Sequence, residues 1–162
     1  MALTVTGKAI LHATTSKTLT DGSTQTDPLS EAQSRNVYVP SDATILYHNK
    51  FTITAAGNQQ FDLSGTLKDA LGQNAIYTKV YGLLVSNLDT TVGDFIWVGG
   101  GGTNFETWLG ATGDKIKVGP KGVLYLMSPV DGYVVTATSA DILEISAPGA
   151  NNIDIYVAIL GK

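Results

Sequence analysis

Residues 75–102 read AIYTKVYGLLVSNL, then DTTVG, then DFIWV, then four consecutive glycines, and this stretch constrains the fold more than any other. Val80, Leu84 and Leu88 fall on one parity of an extended chain and Leu83 and Val85 on the other, so a strand here can be dry on both faces. A central strand of a two-layer β protein has that pattern. Asp89 to Gly93 is polar enough to turn the chain, and Phe95 to Val98 is expected to return beside it as the second arm of a core hairpin. Neither arm places a nucleophile, a base or a metal cluster at a defined spacing.

The rest of the chain has the same grain. Ile45, Tyr47, Phe51 and Ile53 keep odd parity around His48-Asn49-Lys50, which predicts two strands joined by a bend or one bulged strand. Phe61 and Leu63 follow a Gly57-Asn58 turn, and Ile116 and Val118 alternate with Lys115 and Lys117. Val123 to Met127 is a continuous apolar run between the turns Gly119 to Gly122 and Pro129 to Gly132. Tyr133 to Val135, Ile142 to Ile145 and Ile153 to Leu160 complete a set of roughly ten to twelve short strands, the spacing of a sandwich or jelly roll. One brief helix is expected where Thr66 can cap it, Leu67, Ala70 and Leu71 give it an apolar side, and Gly72 can end it. The expected fold is all-β: a jelly-roll-like two-sheet β-sandwich with one short connecting helix. It is read as a single domain over residues 1–162, with an N-terminal strand and Thr/Ser-rich arm in 1–36 and the sandwich core in 37–162.

Within that arm, Ala13 to Asp27 reads ATTSKTLTDGSTQTD. Thr gives it β propensity, Asp21-Gly22 gives it a turn, and Leu19 is almost its whole apolar content. Two readings stand: an exposed edge hairpin, or an arm ordered against a neighbouring subunit through Thr14, Thr15, Thr18, Leu19 and Thr20.

With 43% hydrophobic but only 15% charged residues, much of the surface is neutral or apolar, which lowers the desolvation cost of protein contact. The net charge is −4, Arg35 is the only arginine, and the lysines are scattered apart from Lys115, Lys117 and Lys121. Nucleic acid is therefore not an expected partner. There is no cysteine, so no disulfide, and no apolar run has the length of a signal peptide or a membrane span; no membrane partner is expected.

Chemistry is sparse. The run Gly99, Gly100, Gly101, Gly102 lacks the Lys-Ser/Thr ending of a nucleotide loop and leads toward Phe105 and Trp108. It reads as a bare loop open to close backbone approach and, with Phe105 and Trp108, as a candidate protein contact. His12 and His48 are the only histidines and have no metal-ligand spacing. Asp89 with Asp94, and Asp131 with Asp141 and Glu144, fit no EF-hand and read as turn residues. Glu106 and Glu144 are the imaginable glycosidase pair, though nothing in the sequence brings them together. Trp97, Trp108 and seven tyrosines suit sugar stacking, although the strand pattern around Trp97 favours a core position. No catalytic residue, cofactor or metal is expected.

The phrases QQFDLSGTLKDALGQNAIYTKVYGLLVSNL, VGDFIWVGG, GDKIKVGPKGVLYLMSP, GYVVTATSADILEIS and IDIYVAILGK, between Phe51 and Lys162, resemble the small β-rich virion proteins of tailed bacteriophages, of the head-decoration, cement or minor capsid type. The resemblance implies a non-enzymatic jelly-roll or sandwich subunit, trimeric, seated on the capsid surface and bound to the major capsid protein and to its own copies. The alternative expectation is a carbohydrate- or receptor-binding β-sandwich of a phage fibre or tail.

Overall fold

The computed structural model describes residues 42–69, 72–100 and 104–162 in full, and the backbone of four strands nearer the N-terminus. The chain divides into two compact units, Thr4–Val39 and one built on Pro40–Lys162. In the first unit, β1 (Gly7–Ala9) pairs antiparallel with β4 (Arg35–Val37), and β2 (Thr14–Thr18) with β3 (Thr24–Pro28). The Thr-rich segment is thus a hairpin, with Ser16 opposite Thr26.

The larger unit comprises β5 (Ile45–Ile53), β6 (Asn58–Asp62), β7 (Lys79–Asn87), β8 (Ile96–Gly99), β9 (Lys115–Val118), β10 (Val123–Met127), β11 (Tyr133–Val134), β12 (Ile142–Ser146) and β13 (Ile153–Gly161). One sheet has the order β10-β7-β13-β5, with β11 continuing the β10 edge along β7; the other has the order β6-β12-β8-β9. Every pairing between these strands is antiparallel, and the pairs are nested: β5 with β13, β6 with β12, β7 with β10, β8 with β9. The unit is therefore one long hairpin, with β8 and β9 at its tip, folded over so that successive strands pass from sheet to sheet. That is the jelly-roll form of the β-sandwich.

The core lies between the sheets. Tyr47 and Ile53 on β5, Leu83 and Val85 on β7, and the alternate residues Ile153, Ile155, Val157 and Ile159 of β13 meet Phe61, Ile96, Val98, Leu143 and Ile145 from the other sheet. As expected, β7 is central and largely dry on both sides. A register shift opposite Leu160 and Gly161 lets Val80 join the core although it shares parity with half-buried Leu84 and Ser86.

Two expectations are corrected. Residues 80–88 and 95–98 do not form a hairpin: β7 lies in one sheet and β8 in the other. The loop between them crosses the sandwich because Asn87, fully buried, donates Nδ2–H to the carbonyls of Asp94 and Val118 (both 3.3 Å) and accepts from the amide of Asp89 (3.0 Å). The helix expected from Thr66 is absent among the described residues, although Ala70 and Leu71 lie outside them. Turns at Ser64 to Thr66 lead into a bridge between Lys68 and Asn74, Leu67 accepts from the Ala75 amide (2.8 Å), and Gly72 sits at φ 77°. The Asp69 carboxylate accepts from the Gln73 amide (2.8 Å), a local bond that favours a turn over helix continuation.

Candidate functional site: an apolar sheet edge

The sequence VLYLM of β10 has one buried partner strand, β7, and among the described residues no strand lies on its other edge. Leu124 and Leu126 stand opposite Val85 and Leu83 and pack on the core; Val123, Tyr125 and Met127 stand opposite Ser86, Leu84 and Gly82 on the outer face. Met127 lies over Gly82, where a Cβ would come within 2.6 Å of its sulfur. Continuing across the sheet, Ala158 follows Leu84 and Leu160 follows Gly82, so this part of the outer face is apolar, while Ser86 on β7, Asp154 on β13 and His48 and Lys50 on β5 make the rest of it polar. Lys50 and Asp154 form an ion pair there (2.7 Å).

Exposure is concentrated at the β10–β11 edge. Val123 is 57% exposed, Tyr125 39%, Val130 82% and Val134 48%, whereas β7, β8, β12 and β13 expose no large apolar side chain to that degree. Between β10 and β11 the chain makes a closed excursion in which the Gly132 amide bonds the Ser128 carbonyl (3.0 Å) and Lys79 Nζ donates to the Asp131 carbonyl (2.9 Å). Gly132, at φ 66°, sits over the Tyr81 ring, where a side chain would collide.

The contact loop read from the sequence is built for internal closure. Gly99 and Gly100 have φ 98° and 93° and are buried; a Cβ on Gly99 would stand 2.8 Å from the Asp114 carbonyl, so the backbone that approaches is the chain's own. Glu106 clasps the loop by accepting from the amides of Gly100 (2.9 Å) and Gly113 (2.8 Å). Phe105 is a core residue, 1% exposed, and Trp108 is half-buried against the core with its Nε1–H on the Phe105 carbonyl (3.0 Å). Gly101 and Gly102 lie outside the described residues. A depression of about 310 Å³ opens beside this loop, lined in part by Asn104, Glu106, Thr112 and Ser139, and the buried Asn104 Nδ2 has no hydrogen-bond partner among the described residues. Of the threonine candidates, Thr14, Thr15 and Thr18 lie on β2, known here by its backbone, and Leu19 and Thr20 lie outside the described residues.

Trp97 corrects a further expectation: it is on the outer face of its sheet and half-buried, not in the core. It stands opposite Lys117 and Ser146 in the ladder. Its ring meets Phe95 edge-on (centroids 5.4 Å), Lys115 Nζ lies 5.6 Å from its centroid, and Lys117 Nζ lies 3.9 Å from that of Phe95. Cation–π contacts of this kind shelter the rings and hold two ammonium groups on one face.

The carboxylates serve structure. Glu144 accepts from Gln60 Nε2 (2.8 Å) while Glu106 closes its loop, so the two have separate partners. Asp141 accepts from Ser64 Oγ (2.6 Å) and the Thr138 amide (2.8 Å), and these bonds hold its pKa below the usual carboxylate value. Asp94 is held by Asn151 Nδ2 (3.0 Å). Among the described residues no three His, Asp or Glu side chains gather around a possible metal position.

No family model matches the chain, and no curated protein or solved structure matches it significantly. The apolar edge itself was visible in the sequence only as an uncharged run, Val123 to Met127, whose place at a sheet margin depends on pairings made far along the chain.

Proposed function

We propose that this chain is a non-enzymatic structural subunit of a tailed-phage particle, binding the major capsid protein and further copies of itself on the capsid surface. The observation that carries the reading is the gathering of Val123, Tyr125, Val130 and Val134 on one edge of the β10-β7-β13-β5 sheet, beside the apolar part of its outer face. Contiguous exposed apolar surface rimmed by polar residues marks protein contact. The low charge of the chain and the phrases between Phe51 and Lys162 support the same reading. The test is co-sedimentation of purified protein with capsids lacking it: saturable retention is expected, and residues up to Asp27 are expected to be needed for it. Failure to bind capsids at any loading would overturn the proposal; retention that survives the deletion would remove the N-terminal arm from it.

A second reading, carbohydrate or receptor binding by a fibre or tail protein, is favoured by the outward Trp97 with Phe95, Lys115 and Lys117. Its ammonium groups suit acidic sugars. That reading expects glycan-dependent quenching of tryptophan fluorescence that Trp97→Phe abolishes, and no affinity for capsids.

A further inference from the structure

We infer that two copies of this chain join edge to edge through β10, antiparallel and in one register, about a twofold axis through Tyr125. The inference rests on the self-association proposed above and specifies its geometry.

The hydrogen-bond phase of β10 is set by its pairing with β7. Asn87 N–H bonds the Gly122 carbonyl (3.0 Å) and Ser128 N–H bonds the Tyr81 carbonyl (2.9 Å), both between residues directly opposite in the register. In an antiparallel ladder such bonded pairs recur at every second residue. Residues 122, 124, 126 and 128 therefore address β7, and Val123, Tyr125 and Met127 turn their N–H and C=O groups to the other edge, where no described strand pairs with them. These free positions are symmetric about Tyr125.

A second β10 laid antiparallel on that edge places Tyr125 opposite Tyr125 and Val123 opposite Met127 of the other copy. Every free amide and carbonyl of the three residues then finds a partner, about six bonds in all. The same three side chains lie on the outer face, so the apolar surface becomes continuous across the junction. Sliding the register is opposed at both ends: the Gly119 to Gly122 turn closes one side, and the Ser128–Gly132 excursion interrupts the other.

In the larger unit, the outer strands at the other three sheet margins carry residues that oppose such pairing. β9 presents Lys115 and Lys117, β6 presents Asn58, Gln60 and Asp62, and β5 presents His48, Asn49 and Lys50. Charged and amide residues on an edge strand oppose strand addition, and β10 has none. A contact that uses the same strand on both partners is isologous and closes at two copies.

The absence of cysteine makes the test direct. A single Tyr125→Cys substitution is treated with a short bis-maleimide; directly bonded pairs hold Cα atoms about 5.5 Å apart, so near-complete cross-linking to a dimer is expected. Val92→Cys, at a 97% exposed position in the loop after β7, is the control and is expected to stay monomeric on the gel. Tyr125→Lys, checked for an unchanged melting curve, sets two ammonium groups face to face in place of an aromatic pair and is expected to weaken association about tenfold by sedimentation velocity. No enrichment of the Tyr125→Cys dimer over the control, or Tyr125→Lys protein that associates like wild type, overturns the inference. Capsid co-sedimentation reads the function proposal separately: wild-type protein that binds capsids while failing both tests removes the β10 junction and leaves that proposal standing.

Discussion

Replacing Asn87 by Ala tests the reason the chain forms a sandwich at the very point where a local hairpin was expected. The side chain is fully buried and makes three hydrogen bonds, to the carbonyls of Asp94 and Val118 and from the amide of Asp89. It ties the end of β7 to the crossing loop and to the end of β9 in the opposite sheet. Each bond contributes about 0.5–1.5 kcal/mol, which puts the loss at about 3 kcal/mol before any cost of the groups left without partners. For a chain of this size that corresponds to a melting temperature lower by about 6–12 °C. Asn87→Asp retains an acceptor for the Asp89 amide but sets a carboxylate against two carbonyls, so at neutral pH it is expected to lose at least as much. Urea denaturation followed by tryptophan fluorescence gives both values, provided the slope with denaturant is unchanged. An Asn87→Ala protein within about 0.5 kcal/mol of wild type would refute the reasoning, because the loop crossing would then be held by something else.

Other outcomes follow from the same packing. The pKa of Asp141 is lowered chiefly by the Ser64 hydroxyl, that of Asp154 by Lys50, that of Asp42 by Lys162 and that of Asp89 by the Thr91 amide. Folded values below the unfolded ones mean that the stabilisation is fully present above the ordinary aspartate range and is lost as pH falls through the folded values. The urea midpoint is therefore expected to be level from about pH 5 to 8 and to drop below about pH 4; a midpoint rising on acidification would contradict the assignment. Gly161→Ala would set a Cβ 2.1 Å from the Lys79 carbonyl and 2.6 Å from the Tyr77 ring, where β13 closes against β7, and is expected to cost about 3 kcal/mol in the same assay. Burial raises the pKa of Tyr77, whose hydroxyl donates to the Ile159 carbonyl (3.1 Å), so ultraviolet titration should show one tyrosine silent until the protein unfolds. Tyr77→Phe should abolish that silent fraction and lower stability by about 1 kcal/mol.

What the sequence determined by itself was the kind of structure and the identity of most strands. The two apolar parities of Val80 to Val85 called for a strand buried on both faces, and β7 is one. The alternation in Ile153 to Leu160 and in Lys115 to Val118 named the residues that enter the core, because a strand's side chains change face at every residue. Turn residues marked where most strands stop. Pairing was another matter. Whether Ile96 to Gly99 lies beside β7 or opposite it depends on Asn87, Asp94 and Val118 meeting in the interior, and the first and third of these are 31 residues apart in the chain. Trp97 faces outward because Ile96 and Val98 on either side of it enter the core, while Val123 to Met127 became an edge because β13 occupies the other side of β7. Period-two patterning tells each strand which side chains to bury; only the three-dimensional arrangement decides which strand is its neighbour, and therefore which apolar residues are left for another molecule to cover.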